Sequence, residues 1–367
     1  MMLNRGVRDI FDWPLFVMAA AIALIGVVNL YSASSAMPMV LRDLYIQQIY
    51  WLTLGAGVAV LVASIDYRHY ERYGWVAYGA GIVLLMLVFL LGREVRGSQR
   101  WIPIGSFSLQ PSELMKVFFI VALAKHLHND PRTEGRTLKD LIIPGLILAL
   151  PMSLVLAQPD LGTALIIAAI FGTIMCLTHL KLRSFLTLVL AFVVSAPLTW
   201  RYLLKDYQRE RMVSFLDPNT DILGQGWHAY QAKIAIGSGG LTGKGYLQGT
   251  QNQHRFLPDQ HSDFPFSVWA EEQGFAGAIL LVVLYTGLIL WGLKIASEAK
   301  DRFGAVVAVG VSGLIFWHSV INLGMVCGLL PVVGITLPLF SYGGSSVLTI
   351  MMSIGLLMNI SMRRFHF

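Results

Sequence analysis

Asp263 is the carboxylate best placed for acid–base work. It stands at the end of a long polar segment, after His254, Arg255 and His261, just where the chain turns apolar again. A carboxylate in a partly dehydrated cleft holds a proton more tightly than one in water and can take one from a hydroxyl. Cations of the same segment, Arg209, Arg211, Lys233 and Lys244, together with Lys116, would suit a phosphate-bearing leaving group. Glu113 and Lys116 share a helix face and can pair, which serves equally well as a structural anchor. Gln158-Pro159-Asp160-Leu161-Gly162-Thr163 sets a proline and a carboxylate at a helix start, ordinary capping chemistry before it is ligand chemistry. His318 and Asn322, one helical turn apart, are expected to hydrogen-bond between helices rather than to act as catalytic groups. The run Ser341-Tyr342-Gly343-Gly344-Ser345-Ser346 reads as a close-packing or backbone-exposing turn.

The elements that must carry these groups are membrane helices. Charged residues make 13% of the 367 residues and apolar ones 56%, whereas a soluble domain carries about 25% charged residues. Stretches of about twenty apolar residues recur at 14–35, 44–64, 73–91, 112–128, 141–157, 161–178, 184–203, 266–294, 303–328 and 339–362. The expectation is an all-α, polytopic integral membrane protein, one domain over 1–367, with ten transmembrane helices. One long extracytoplasmic loop, about 201–265, is expected between helices 7 and 8. Cys176 and Cys327 both sit in apolar runs, against a disulfide framework or a zinc site. The net charge of +6 comes from short basic loops without a nucleic-acid motif, so no nucleic-acid partner is expected.

Ten spans put both termini on one side, and the positive-inside rule makes that side cytoplasmic. The inner segments would then hold Arg5, Arg8, Arg68, Arg72, Lys125, Arg132, Arg136, Lys139, Lys181, Arg183, Lys294, Lys300, Arg302, Arg363 and Arg364, against Arg42, Arg93, Arg96 and Arg100 in short outer loops. Ionisable residues in the hydrocarbon cost about 2.5–3.5 kcal/mol each on insertion scales. Under this topology Glu113, Lys116, Asp160, Asp263, Glu271, Glu272 and 341–346 all fall near the outer face. A single outward-facing site for an anionic lipid-linked substrate accounts for that. The long loop, with an amphipathic stretch from Lys205 to Val213, a further segment from Gly224 to Ala235 and the glycine-rich 237–249, is expected to shape the cleft.

At these residues the chain resembles the SEDS family (shape, elongation, division and sporulation). The matching blocks, in family order, are Arg96-Gly97-Ser98-Gln99-Arg100-Trp101-Ile102, Leu109-Gln110-Pro111-Ser112-Glu113-Leu114-Met115-Lys116, Gln158 through Thr163, Phe256-Leu257-Pro258-Asp259-Gln260-His261-Ser262-Asp263-Phe264, Ala270-Glu271-Glu272-Gln273-Gly274 and Pro338-Leu339-Phe340-Ser341-Tyr342-Gly343-Gly344-Ser345-Ser346. The segments Gly245-Tyr246-Leu247-Gln248-Gly249-Thr250-Gln251 and Asn322-Leu323-Gly324-Met325-Val326 resemble the elongation member more than the division member. Ser262 stands where the family usually has Thr, and Pro265 where it has an aliphatic residue.

The resemblance implies a ten-span peptidoglycan glycosyltransferase of the bacterial inner membrane. It would polymerise lipid II, the undecaprenyl-pyrophosphate disaccharide pentapeptide, into β-1,4 glycan strands with inversion. Asp263 matches the catalytic aspartate, and Arg100, Glu113, Lys116 and Asp160 match positions associated with activity. Substrate contacts are expected from those four and from Trp101, Gln158, Lys233, Lys244, His261, Glu271, Ser341, Gly343, Gly344 and Ser345. No covalent cofactor is expected; a divalent cation, Mg2+ or Mn2+, would offset pyrophosphate charge. Implied partners are a class B penicillin-binding protein transpeptidase, other elongation-complex proteins and membrane lipids. The alternatives are a lipid II flippase, for which polar groups at the midplane or on both sides are expected, and a silent scaffold, against which the retained Asp263 counts.

Overall fold

Long apolar runs can satisfy their backbone N–H and C=O groups in lipid only by coiling into helices. The computed structural model describes residues 11–35, 37–38, 41–95, 98–105, 107–130, 135–178, 180–198, 200–201, 206–216, 225–254, 256 and 260–364. Arg5, Arg8, Arg96, Gly97, Arg132, Lys205, Gly224, Arg255 and Leu257-Pro258-Asp259, named above, lie outside these residues, as do 199, 202 and 203 of the seventh expected span.

The apolar stretches form α1 (Trp13–Ser35), α2 (Leu44–Ser64), α3 (Tyr67–Leu91), α4 (Pro111–His128), α5 (Ile142–Ala157), α6 (Leu161–Leu177) and α7 (Leu182–Leu198). The long loop carries α8 (Asp206–Leu216), α9 (Gln225–Ser238) and the single turn α10 (Thr250–Gln253). The chain closes with α11 (Pro265–Ser297), α12 (Arg302–Val326) and α13 (Gly344–Arg363). Among the described residues, seven helices are long and apolar enough to cross a membrane: α1, α2, α3, the stretch Lys139–Ala157 that includes α5, α11, α12 and α13. Helices α6 and α7 have 17 residues each. Ten spans therefore remains an expectation.

Helix α4 carries three charges, Glu113, Lys116 and Lys125, within its 18 residues. The other helices enclose it. Phe119, Ile120, Ala122, Leu123, Ala124 and Leu127 are fully buried, and α3, α5, α12 and α13 pack around them. Polar side chains on α4 therefore face protein instead of lipid, the one setting in which intramembrane charges are tolerated. By contrast, Leu190 and Val194 of α7 are each 62% exposed, as suits a lipid-facing helix. Small residues let the helices close up: a Cβ on Gly26 of α1 would lie 2.7 Å from the Phe340 Cα, and one on Gly355 of α13 would lie 2.7 Å from the Ala59 carbonyl of α2.

The all-α expectation omits a small antiparallel sheet of β1 (Arg93–Val95), β2 (Ser98–Ile104) and β3 (Phe107–Leu109), in the order β1-β2-β3. Arg93 pairs with Trp101, and Ile102 with Leu109. β1 and β3 have three residues each, too short to show a period-two pattern, and the seven residues of β2 do not alternate, so the chain gave no signal for them. Two helix starts also move. Asp66 caps α3 by accepting from Arg68 N, so the helix begins at Tyr67, before the apolar run expected from 73. Helix α13 starts at Gly344, after the expected 339, because residues 338–341 form a turn and a bend before it.

The loop from 239 to 245 docks into a break in α11. Gly274 has φ 66° and ψ −162°, outside helical space, and a Cβ there would sit 2.2 Å from Gly243 N. The two helical bonds lost at the break are replaced one for one. Phe275 N and Ala276 N donate to Gly240 O and Leu241 O at 2.9 and 3.1 Å, while Glu271 O and Glu272 O accept from Lys244 N and Gly245 N at 3.0 Å each. Every backbone group opened by the kink finds a loop partner, as burial requires.

Candidate active site

The starts of α2, α4, α6, α11 and α13 and the ends of α1, α3, α5 and α12 meet at one end of the bundle. Gln48 on α2 donates to Ser341 O at 3.0 Å, Asn29 on α1 to Pro265 O at 2.9 Å, and Gln158 after α5 to Leu85 O on α3 at 2.8 Å. Through the middle of this end runs the irregular connection between α12 and α13. Its carbonyls are held by side chains from several elements. Arg211 on α8 donates to Val332 O and Val333 O at 3.3 and 3.4 Å. Asn322 donates to Ile335 O at 2.6 Å, the His318 ring Nδ1 lies 3.0 Å from Thr336 O, and the Tyr285 hydroxyl donates to Pro338 O at 2.6 Å.

Asp263 lies against this connection. It is half-buried, two residues before the Pro265 that opens α11. Its backbone carbonyl accepts from Asn322 Nδ2 at 3.0 Å, and a Cβ on Gly334 would lie 3.3 Å from its Oδ2. Gly334 has φ +76°, so a side chain there would be strained as well as crowded. Next to Asp263, His261 accepts from Tyr342 N through its carbonyl at 2.9 Å, and the two rings lie 6.0 Å apart.

The expected pair forms: Lys116 Nζ is 2.8 Å from Glu113 Oε1, with Lys116 only 1% exposed. Lys116 also reaches His318 Nε2 at 2.8 Å. His318 thus hydrogen-bonds between helices as expected, from α12 to α4, and both it and Asn322 also bond the backbone of the 335–336 segment. That segment also meets α13, where Thr336 Oγ1 and Ser346 Oγ lie 2.8 Å apart.

A second polar cluster adjoins. Asp160 caps α6, accepting from Thr163 N at 3.2 Å and Thr163 Oγ1 at 2.9 Å. Gln110 Nε2 donates to Asp160 Oδ2 at 3.0 Å, and Arg100 Nη1 lies 3.4 Å from Oδ1 while the same guanidinium bonds Pro159 O. Trp101, the next residue of β2, is half-buried. Gln110 N in turn donates to Ser345 Oγ at 3.0 Å, joining this cluster to the start of α13. Gly344 serves packing, since a Cβ there would lie 2.5 Å from the Trp51 ring, whereas one on Gly343 would stand 3.6 Å from the Ser346 Cβ, an ordinary contact.

The lysines of the long loop part company. Lys244 Nζ pairs with Glu271 Oε1 at 2.6 Å, and that fully buried oxygen also accepts from Thr250 Oγ1 and Gln251 N at 3.0 and 3.1 Å. This cluster ties the loop to the kinked helix; it is not part of the group around Asp263. Lys233 on α9 is exposed and crosses Gly328 just beyond α12, with no hydrogen bond or ion pair among the described residues. Arg211, Asn322 and His318 are the residues that sequence reasoning underrated. The one available signal was the helical spacing of the last two on an otherwise apolar span. Among the described residues no three His, Cys, Asp or Glu side chains converge to hold a metal ion.

The model of a family described as "Cell cycle protein", that of FtsW, RodA and SpoVE, matches residues 12–366. The peptidoglycan glycosyltransferase MrdB of Escherichia coli is 41% identical over 313 residues, 85% of this chain and 84% of that protein. The peptidoglycan glycosyltransferase RodA of Treponema pallidum is 34% identical over 436 residues, covering 98% of this chain and 99% of its own. Two solved structures are similar throughout. A chain from work described as "Structural coordination of polymerization and crosslinking by a peptidoglycan synthase complex" superposes with TM-score 0.83 at 34% identity, over 97% of this chain and 99% of that one. Thermus thermophilus rod shape determining protein RodA does so with TM-score 0.73 at 31% identity, over 97% and 98%.

Proposed function

The chain belongs to the FtsW, RodA and SpoVE family, and from that premise we propose that this multi-pass membrane protein polymerises lipid II with Asp263 as general base. It is a peptidoglycan glycosyltransferase of the elongation type. The observation that carries the finer reading is the half-buried Asp263, whose Oδ2 lies 3.3 Å from where a Cβ on Gly334 would stand, at the end of the bundle where the helix ends and the α12–α13 connection converge.

In this reading Asp263 takes the proton of the acceptor sugar's 4-hydroxyl as that oxygen attacks the anomeric carbon of the donor. The bond from that carbon to the pyrophosphate breaks on the opposite face, which inverts the α-linked donor into a β-1,4 bond. Pyrophosphate leaves without being protonated, so one base suffices and no second carboxylate is required. Lys116 is held by Glu113 and His318 and shapes the floor of the site. Lys233, exposed and without a hydrogen bond or ion pair among the described residues, is a cation available for the pyrophosphate. A Mg2+ or Mn2+ ion would arrive on pyrophosphate oxygens, as Mg2+ commonly does, and no step is routed through it.

Both termini on the cytoplasmic side, with the Asp263 end facing outward, accord with the basic residues of the short loops. A class B penicillin-binding protein would cross-link the product; the structural relative from a peptidoglycan synthase complex supports such a partner. Purified protein supplied with lipid II in detergent, with and without a transpeptidase, tests the reading. Glycan strands formed where there is no membrane to cross require a polymerase, whereas a flippase would act only in sealed vesicles.

A further inference from the structure

Asn322 is fully buried and its Nδ2 faces two backbone carbonyls, Asp263 O at 3.0 Å and Ile335 O at 2.6 Å. Those surroundings fix the amide's orientation. A carbonyl only accepts, and an amide NH2 carries two hydrogens, one for each. The two carbonyls belong to different segments, the approach to α11 and the α12–α13 connection. The approach that matters is adjacent, because Gly334 precedes Ile335 and Asp263 Oδ2 lies 3.3 Å from where a Cβ on Gly334 would stand. The amide therefore sets the register between the carboxylate and the wall it rests on.

We propose that Asn322 is a positioning residue for Asp263: its NH2 group clamps the Asp263 and Ile335 carbonyls together and so holds the carboxylate at Gly334. The inference rests on the reading of Asp263 as general base. The orphaned Oδ1 supports it, since that atom is buried with no hydrogen-bond partner among the described residues. An apolar residue would avoid that cost, and the two-carbonyl clamp is what the amide offers in return. His318 and Arg211 hold the neighbouring carbonyls Thr336 O, Val332 O and Val333 O, so the connection is fixed on both sides of the clamp, and Asn322 links it to Asp263.

The test compares Asn322→Leu, which keeps the volume and loses the donors, with Asn322→Gln, which keeps the donors on a stem one methylene longer. Displacing a catalytic group by about 1 Å can cost about 10²-fold in rate. The expected result for Asn322→Leu is a kcat for lipid II polymerisation lowered about 10- to 100-fold with KM and lipid II binding unchanged, and Asn322→Gln recovers part of it. Wild-type kcat in a folded Asn322→Leu variant overturns the proposal, as does a loss that appears in KM alone. Should Asn322→Leu fail to fold, Gly334→Ala probes the same contact from the other side, its methyl 3.3 Å from Oδ2. A kcat loss at unchanged lipid II binding supports the proposal there, and wild-type kcat overturns it. Asp263→Asn run in parallel separates the two readings. If that variant polymerises normally the base assignment is wrong; if it is inactive while Asn322→Leu is normal, only the positioning role falls.

Discussion

Lys116 and His318 meet end to end, Nζ 2.8 Å from Nε2, and that contact fixes the imidazole's tautomer. Nδ1 faces the Thr336 carbonyl at 3.0 Å, which can only accept, so Nδ1 carries the proton and Nε2 offers its lone pair to the ammonium. The same ammonium donates to Glu113 Oε1 at 2.8 Å, while Glu113 Oε2 is buried without a hydrogen-bond partner among the described residues. One cation thus joins α4, α12 and the connection that walls Asp263.

Removing that cation alone should be costly. Lys116→Ala leaves Glu113 buried and uncompensated, and breaking a buried pair typically costs about 3–5 kcal/mol. Replacing both residues, with Glu113→Gln and Lys116→Met, should recover most of the melting temperature but not polymerisation, because His318 and the connection lose their anchor. Thermal melts and lipid II turnover on the single and double variants check this. Activity that returns together with stability would reduce the pair to an anchor.

Asp263→Asn should fold, bind lipid II and polymerise about 10²–10⁴-fold more slowly, the usual contribution of a general base. Single-turnover rates with saturating lipid II are the measurement. A wild-type rate would remove the aspartate from the mechanism.

Lys233 and Lys244 should behave differently, although both are basic residues of one loop. Lys233→Ala removes an exposed cation without a partner among the described residues and should raise KM for lipid II at an unchanged melting temperature, with weaker salt dependence than the wild type. Lys244→Ala deprives the buried Glu271 carboxylate of a charged donor and should destabilise by about 1–3 kcal/mol. Melting curves beside KM values separate the two, and identical behaviour would contradict the assignment.

Gly274→Ala should loosen the loop from α11. The backbone lies in a region open essentially to glycine, where another residue costs about 1–3 kcal/mol, and the added methyl would press on Gly243 N at 2.2 Å. Limited proteolysis should cut within 239–253 faster than in the wild type while the other loops keep their resistance. An unchanged cleavage pattern would show that the docking survives.

The sequence by itself determined the membrane class, the apolar stretches and the polar blocks, because lipid leaves a long apolar backbone no alternative to the helix and makes each intramembrane charge conspicuous. It also determined the Glu113–Lys116 pair and the Asp160 cap, whose partners lie within one helical turn and so follow from spacing. Only the tertiary structure decided which distant groups meet. Asn322 reaches Asp263 across 59 residues of chain and Lys116 reaches His318 across 202. Lys233 and Lys244 are indistinguishable as loop cations until the kink at Gly274 brings Glu271 to one of them. The small sheet stayed hidden for a related reason, since two three-residue strands and a β2 without alternation are specified by their pairing partners and not by a periodicity of their own. Local chemistry is written along the chain; the register between segments is fixed by packing and by buried donors seeking acceptors, and those contacts exist only once the chain has folded.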